Sequence, residues 1–304
     1  MGNMTAGPSP SETARDGDRA MERSVFDWNG CRVVLHRAGS GSPILFLHNG
    51  GNDHRIWDYQ VARFSRSHAV IAVDLPGYGD SDRPRTSYTL SFYVDFVRDC
   101  IDHLSLERPV LVGNCVGSAM AVRYALSCPD RVAGLVLCNV LTERTLSAGV
   151  FGPLYRAIVR HPMVRRLVAR WTGNAAVRRI AREISPAMQY GESGDPDPAF
   201  IGHLRARYTH PEHLRVLYDL LCNIPDFAQL DRMAKPAGFP KTCAIWGEQN
   251  RVLPWSAGRE WCERFVPERM VVLPKSGHLV MRELYDQVNE CIDGFLSELQ
   301  AAQG

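Results

Sequence analysis

Short apolar runs recur along the chain: RVVLHRA (32–38), PILFLH (43–48), HAVIAVDL (68–75), PVLVG (109–113), VAGLVLCNV (132–140), KTCAIWG (241–247) and RMVVLP (269–274). Their length and β-branched content predict strands. Helix-length patterns lie between many of them, for example TLSFYVDFVRDCIDHLSL (89–106) and GSAMAVRYALSC (117–128). Nearly all-apolar strands alternating with helices predict a mostly parallel sheet covered by helices on both faces, an α/β fold.

The alternation breaks between about 141 and 236. The pattern there is helical: GPLYRAIVRHPMVRRLVARW, NAAVRRIAREI, AFIGHLRARY and PEHLRVLYDLLCNI, with GESGDPDP (191–198) as a loop. The expected organisation is a mobile tail over 1–22, a core over 23–140 and 237–300, and an inserted helical lid over 141–236. No internal repeat is visible.

Composition narrows the function classes. The chain has 304 residues, 45% of them apolar and 22% charged, enough for a sizeable core. A net charge of +2 gives no global reason to expect nucleic acid or a membrane as partner. Nine dispersed cysteines without a C-x-x-C pair predict reduced thiols in a cytoplasmic protein, not a disulfide framework or a zinc site. No apolar run is long enough for a transmembrane helix, and the N-terminus lacks the apolar stretch of a signal peptide.

Four motifs fall at the carboxyl ends of expected strands, where parallel sheets present their ligand sites. After PVLV, Gly113-Asn114-Cys115-Val116-Gly117 has the small residues of a sharp strand–turn–helix elbow, with a thiol at its apex. LFLHNGGNDHRIW (45–57) sets a glycine-rich loop after a strand, so the N–H groups of Gly50 and Val116 are expected to form an oxyanion hole. AIWGEQNRVLP (244–254) places Asn250 just beyond a strand, and VVLPKSGHLVMRE (271–283) places His278 after the last one.

This order of nucleophile, orienting residue and histidine resembles the α/β-hydrolase superfamily over about residues 24–298. DLPGYGDSDRP (74–84) and Trp57, nine residues after His48, are similar to features of its lid-bearing esterases, epoxide hydrolases and haloalkane dehalogenases. The resemblance implies an α/β-hydrolase fold and catalysis without a cofactor or metal. This chain departs from the pattern in three places: Cys115 replaces serine, Asn250 stands in the usual acid position, and Asn49 replaces a glycine. The alternative acid position, at the end of the preceding strand, holds Asn139.

The departures fit one another chemically. A thiol ionises more readily than a hydroxyl, so a Cys–His pair can rest as thiolate and imidazolium, and an asparagine suffices to orient the ring. Cys115, His278 and Asn250 are therefore the expected catalytic set. Asn49, Asn114, Asn139, Glu143, Trp57 and Trp171 are candidates for lining or orienting the site. His48, Asp74 and the cysteines in apolar runs read as structural. The expected activity is hydrolysis or acyl transfer on an ester, lactone or thioester of a small or medium apolar metabolite, through an acyl-enzyme on Cys115. Elimination by a non-hydrolytic lyase of the same fold, with His278 as base, is the alternative, and a non-catalytic ligand-binding protein is a second. Eight arginines and no acidic residue between Arg156 and Arg182 suggest a solvated helical face or a docking surface for an acyl carrier protein.

Overall fold

The computed structural model describes residues 21–194 and 197–301. Its centre is an eight-stranded sheet in the order β1-β2-β4-β3-β5-β6-β7-β8. The strands are β1 (Glu22–Trp28), β2 (Cys31–Ala38), β3 (Pro43–Leu47), β4 (Ala69–Asp74), β5 (Val110–Asn114), β6 (Gly134–Cys138), β7 (Thr242–Gly247) and β8 (Arg269–Leu273). β2 runs antiparallel to both β1 and β4, and the other pairs are parallel. The seven expected strands are thus β2 to β8. β1 is an addition: a half-exposed edge strand burying only Phe26 and Trp28, too sparse a pattern to read as core. Residues 21 and 22, expected in the tail, lead into and begin β1, and residues 1–20 lie outside the described part.

Alternation along each strand divides the core between the two faces. Ile44, Phe46, Val112 and Ile245 pack with one cluster; Leu45, Leu47, Leu111 and Leu137 pack with the other. On the first face lie α1 (Asp58–Phe64) and the C-terminal α12 (Tyr285–Ala301). On the second lie α2 (Leu90–His103), which the Thr89 side chain caps by accepting from the Phe92 N–H, and α3 (Val116–Ser127).

A helical segment separates β6 from β7. It comprises α4 (Glu143–Ala148), α5 (Gly152–Arg160), α6 (Pro162–Trp171), α7 (Ala175–Gln189), α8 (Pro198–Arg207), α9 (His213–Cys222) and a 3-10 stretch over Ile224–Arg232. The first expected helix is two, because Pro162 forces His161 into extended backbone (φ −124°, ψ 102°) and restarts the helix at its own position. After β7 come α10 (Trp255–Phe265), β8 and the single turn α11 (Val280–Glu283).

Candidate active site

Cys115 is the hinge between β5 and α3, at φ 56° and ψ −112°. Non-glycine residues rarely hold a positive φ, and do so where their surroundings over-determine it. Here the Cys115 N–H donates to the Cys138 carbonyl at 3.0 Å, and its carbonyl accepts from the Ala119 N–H at 3.0 Å. The flanking glycines are steric requirements. A Cβ on Gly117 would stand 2.1 Å from the Leu47 carbonyl oxygen, and one on Gly113 would stand 2.4 Å from the Gly117 carbonyl carbon.

The thiol is almost fully enclosed. Burial pushes its pKa up to about 12, while the backbone amides of Val116 and Gly50, both facing the sulfur, pull the other way. The loop that aims Gly50 is braced by His48, whose Nδ1–H donates to the Asn49 carbonyl at 2.7 Å and whose Nε2 accepts from the Leu75 N–H at 2.9 Å. Asn52 Nδ2 ties this loop to Asn49 Oδ1 and to Gln189 Oε1, both at 2.8 Å.

His278 sits at the other end of the site, on the loop after β8. Its N–H donates to the Gln189 carbonyl at 2.7 Å. Its Nδ1 lies 3.1 Å from Asn250 Nδ2 and 3.3 Å from Asn250 Oδ1. Oδ1 also accepts from the Val252 N–H at 3.0 Å and the Leu253 N–H at 2.9 Å. Two amide donors on one oxygen settle which end of the Asn250 amide is which. The amino group therefore faces Nδ1, so the resting imidazole accepts there and carries its proton on Nε2. Burial pushes the ring's pKa down to about 3. Desolvation penalises the charged form of each group, and among the described residues the side chain facing Nδ1 is an amide rather than a carboxylate.

A family model for the alpha/beta hydrolase fold matches residues 42–283. The chain belongs to the alpha/beta hydrolase fold family. It is 36% identical over 293 residues to an uncharacterized protein of Mycobacterium tuberculosis, covering 90% of this chain and 81% of that one. It is 26% identical over 284 residues to the 2-hydroxymuconate semialdehyde hydrolase of a Pseudomonas species, covering 90% and 93%. A thermophilic esterase from Thermogutta terrifontis superposes with a TM-score of 0.74 at 22% identity, over 91% of this chain and 99% of that one, a likeness of fold. The relative named as a hydrolase supports an enzymatic activity for this alpha/beta hydrolase.

Within this alpha/beta hydrolase the remaining candidates separate. Asn139 does not orient the imidazole. Its Nδ2 donates to the His278 carbonyl at 3.1 Å and to Asn114 Oδ1 at 3.0 Å, and its Oδ1 accepts from the Gly247 N–H at 3.1 Å. Asn114 likewise holds the His278 carbonyl, at 3.3 Å. Both asparagines position the histidine's backbone. Glu143 is no orienter either: it accepts from the Tyr155 hydroxyl at 2.5 Å, within the helical segment. Trp57 is buried against Phe46, in the cluster on the sheet face opposite the one that holds Cys115, so it belongs to the core. Trp171 ends α6 and is half-exposed on the surface.

Sequence reasoning missed five contributors. Gln189, at the end of α7, braces both the His278 N–H and the asparagine pair of the glycine loop. Glu283 accepts from Gly277 N–H and Gly191 N–H, each at 2.8 Å, through separate oxygens, and so anchors the loop bearing His278. Leu217 and Leu220 of α9, with the Tyr78 hydroxyl, stand over Gly50 and Gly51. Gln189, Leu217 and Leu220 lie far along the chain from the loops they serve, whereas Glu283 closes the motif that carries His278 and has no pattern of its own to mark it.

One group of metal-type ligands converges among the described residues: His36, His54 and Asp74, with ligand atoms within 4.8 Å of one another. Asp74 Oδ1 is taken by His54 Nδ1 at 2.7 Å and by the His54 N–H at 3.0 Å, and Oδ2 by the Asp80 N–H at 2.8 Å. Asp74 thus organises the loop after β4, and the cluster reads as a hydrogen-bonded ion pair.

Proposed function

We propose that this alpha/beta hydrolase carries out acyl chemistry through Cys115, taking the acyl group from an ester, lactone or thioester of a small or medium apolar metabolite. The observation that carries the reading is the Cys115 sulfur on a strained elbow, faced by two backbone amides, in a chain whose buried His278 has its Nδ1 held by Asn250. The Val116 and Gly50 amides that face the sulfur are the donors for an oxyanion on a bound carbonyl carbon.

Attack forms the Sγ–C bond as the thiol proton passes to His278 Nε2. For that step the imidazole adopts the tautomer with its proton on Nδ1, which Asn250 Oδ1 accepts. The tetrahedral intermediate then collapses, the acyl C–O or C–S bond breaks, and His278 protonates the leaving group. Water or another nucleophile, deprotonated by His278, releases the acyl group from Cys115. A weakly basic histidine without a carboxylate suits leaving groups that need little protonation, so thioesters and activated esters are the preferred substrates.

Intact-protein mass spectrometry after brief exposure to activated esters and acyl thioesters tests this. Wild type is expected to gain one acyl mass, localised to Cys115, while Cys115→Ala gains none and His278→Ala acylates slowly. Conversion of the same compounds by Cys115→Ala at the wild-type rate overturns the covalent reading and leaves elimination, with His278 as base, in its place.

A further inference from the structure

Helices α5 to α7 leave a large apolar surface uncovered. On α6, Met163, Leu167 and Trp171 recur at helical spacing and are 81%, 47% and 51% exposed. On α7, Ile180 and Ile184 are 58% and 50% exposed, and no residue of α6 is buried. Scattered apolar residues on a surface mean little, but exposed apolar residues repeated at helical spacing on two successive helices mark a surface that meets something. The same helices carry Arg156, Arg160, Arg165, Arg166, Arg170, Arg178, Arg179 and Arg182, with no acidic residue from Gly152 to Arg182. Among the described residues, only Arg182 of these eight has a carboxylate within 4.0 Å, that of Glu183.

The charge narrows the occupant. A second copy of this chain across a twofold axis would set arginine against arginine, with no acid between Gly152 and Arg182 to offset the repulsion. We propose that α5, α6 and α7 form a docking face for an anionic lipid surface. Met163, Leu167, Trp171, Ile180 and Ile184 enter the boundary between headgroups and acyl chains, and the arginines extend to the lipid phosphates, as in helices that lie in an interface. No described helix is long and apolar enough to cross a membrane, so the attachment is peripheral. A net charge of +2 conceals this face, because the compensating acids sit elsewhere on the molecule.

Co-sedimentation of the full chain with phosphatidylcholine vesicles, and with vesicles holding an equimolar share of phosphatidylglycerol, reads the proposal. Binding is expected to the anionic vesicles, stronger by about tenfold or more than to the neutral ones, and to weaken as salt is added. Met163→Glu and Leu167→Glu, both at exposed positions that leave the core intact, are each expected to weaken it by about tenfold or more. The Arg165→Gln/Arg166→Gln pair is expected to weaken it about 25-fold, at about fivefold per arginine. Absence of co-sedimentation overturns the proposal, as does undiminished binding by Met163→Glu. Two further results overturn it in favour of another occupant: a dimer that Met163→Glu dissociates, without vesicle binding, or capture of an acidic acyl carrier protein, without vesicle binding.

Discussion

Replacing Asn250 with aspartate interrogates the proton inventory of the site. Asn250 presents Nδ2 to His278 Nδ1 at 3.1 Å, while its Oδ1 is held by the Val252 and Leu253 amides. Aspartate preserves those two acceptor contacts and turns the facing donor into an acceptor. Nδ1 then keeps the proton, Nε2 is free to receive one, and an imidazolium gains a buried counter-charge. A carboxylate this close raises a partner's pKa by about 1–3 units, here from a starting value of about 3. Ring 15N shifts of His278 at neutral pH read the outcome: wild type carries the proton on Nε2 and the variant on Nδ1, with the imidazolium pKa raised by about 1–3 units. The added buried charge lowers the melting temperature, so both proteins are measured well below either melt. A ring still protonated on Nε2 in a natively folded Asn250→Asp protein refutes the assignment of donor and acceptor between Asn250 and His278.

Three further outcomes follow from the geometry. Glu283→Gln retains one acceptor oxygen where two are used, by Gly277 and Gly191; the variant should lose about 1–3 kcal/mol in chemical denaturation, and kcat should fall more than KM changes. Gly117→Ala drives a methyl to 2.1 Å from the Leu47 carbonyl oxygen, so it should cost at least about 2 kcal/mol, and a melt within a degree of wild type would contradict the packing. Burial pushes the pKa of His213 down to about 3, helped by Arg83 and Arg207, and neither ring nitrogen finds a hydrogen-bond partner among the described residues. The unfolded chain therefore takes up a proton first as pH falls below about 6.5, and folded-state stability declines from there toward about pH 3, by about 1.4 kcal/mol per pH unit for this group. His213→Leu should remove that part of the slope and be nearly neutral at pH 8; an unaltered pH dependence of urea unfolding would show that the ring is protonated in the folded protein.

The chain by itself determined the elements and the approximate place of the chemistry. Runs such as PILFL are buried along their whole length, or nearly so, and survive as strands because both faces of the sheet are covered. The elbow was legible because Gly113 and Gly117 are demanded by backbone contacts at 2.4 and 2.1 Å, a constraint that leaves its mark in residue type. β1 was not legible, since an edge strand that buries two side chains leaves little periodicity. Tertiary structure alone decided how the site's atoms are oriented and which way burial pushes their ionisation. Asn250 faces His278 with its amino group because two amides of its own loop capture its oxygen. Burial pushes the Cys115 thiol up and the His278 imidazole down because the packed surroundings exclude the water that would stabilise either charge. Gln189, remote in sequence from His278, and Glu283, six residues after Gly277, became visible only as bonds to the His278 N–H and to Gly277. Residue identity specifies which hydrogen bonds and charges are available; which of them form, and at what free energy, depends on distances and solvent exclusion that exist only once the chain has folded.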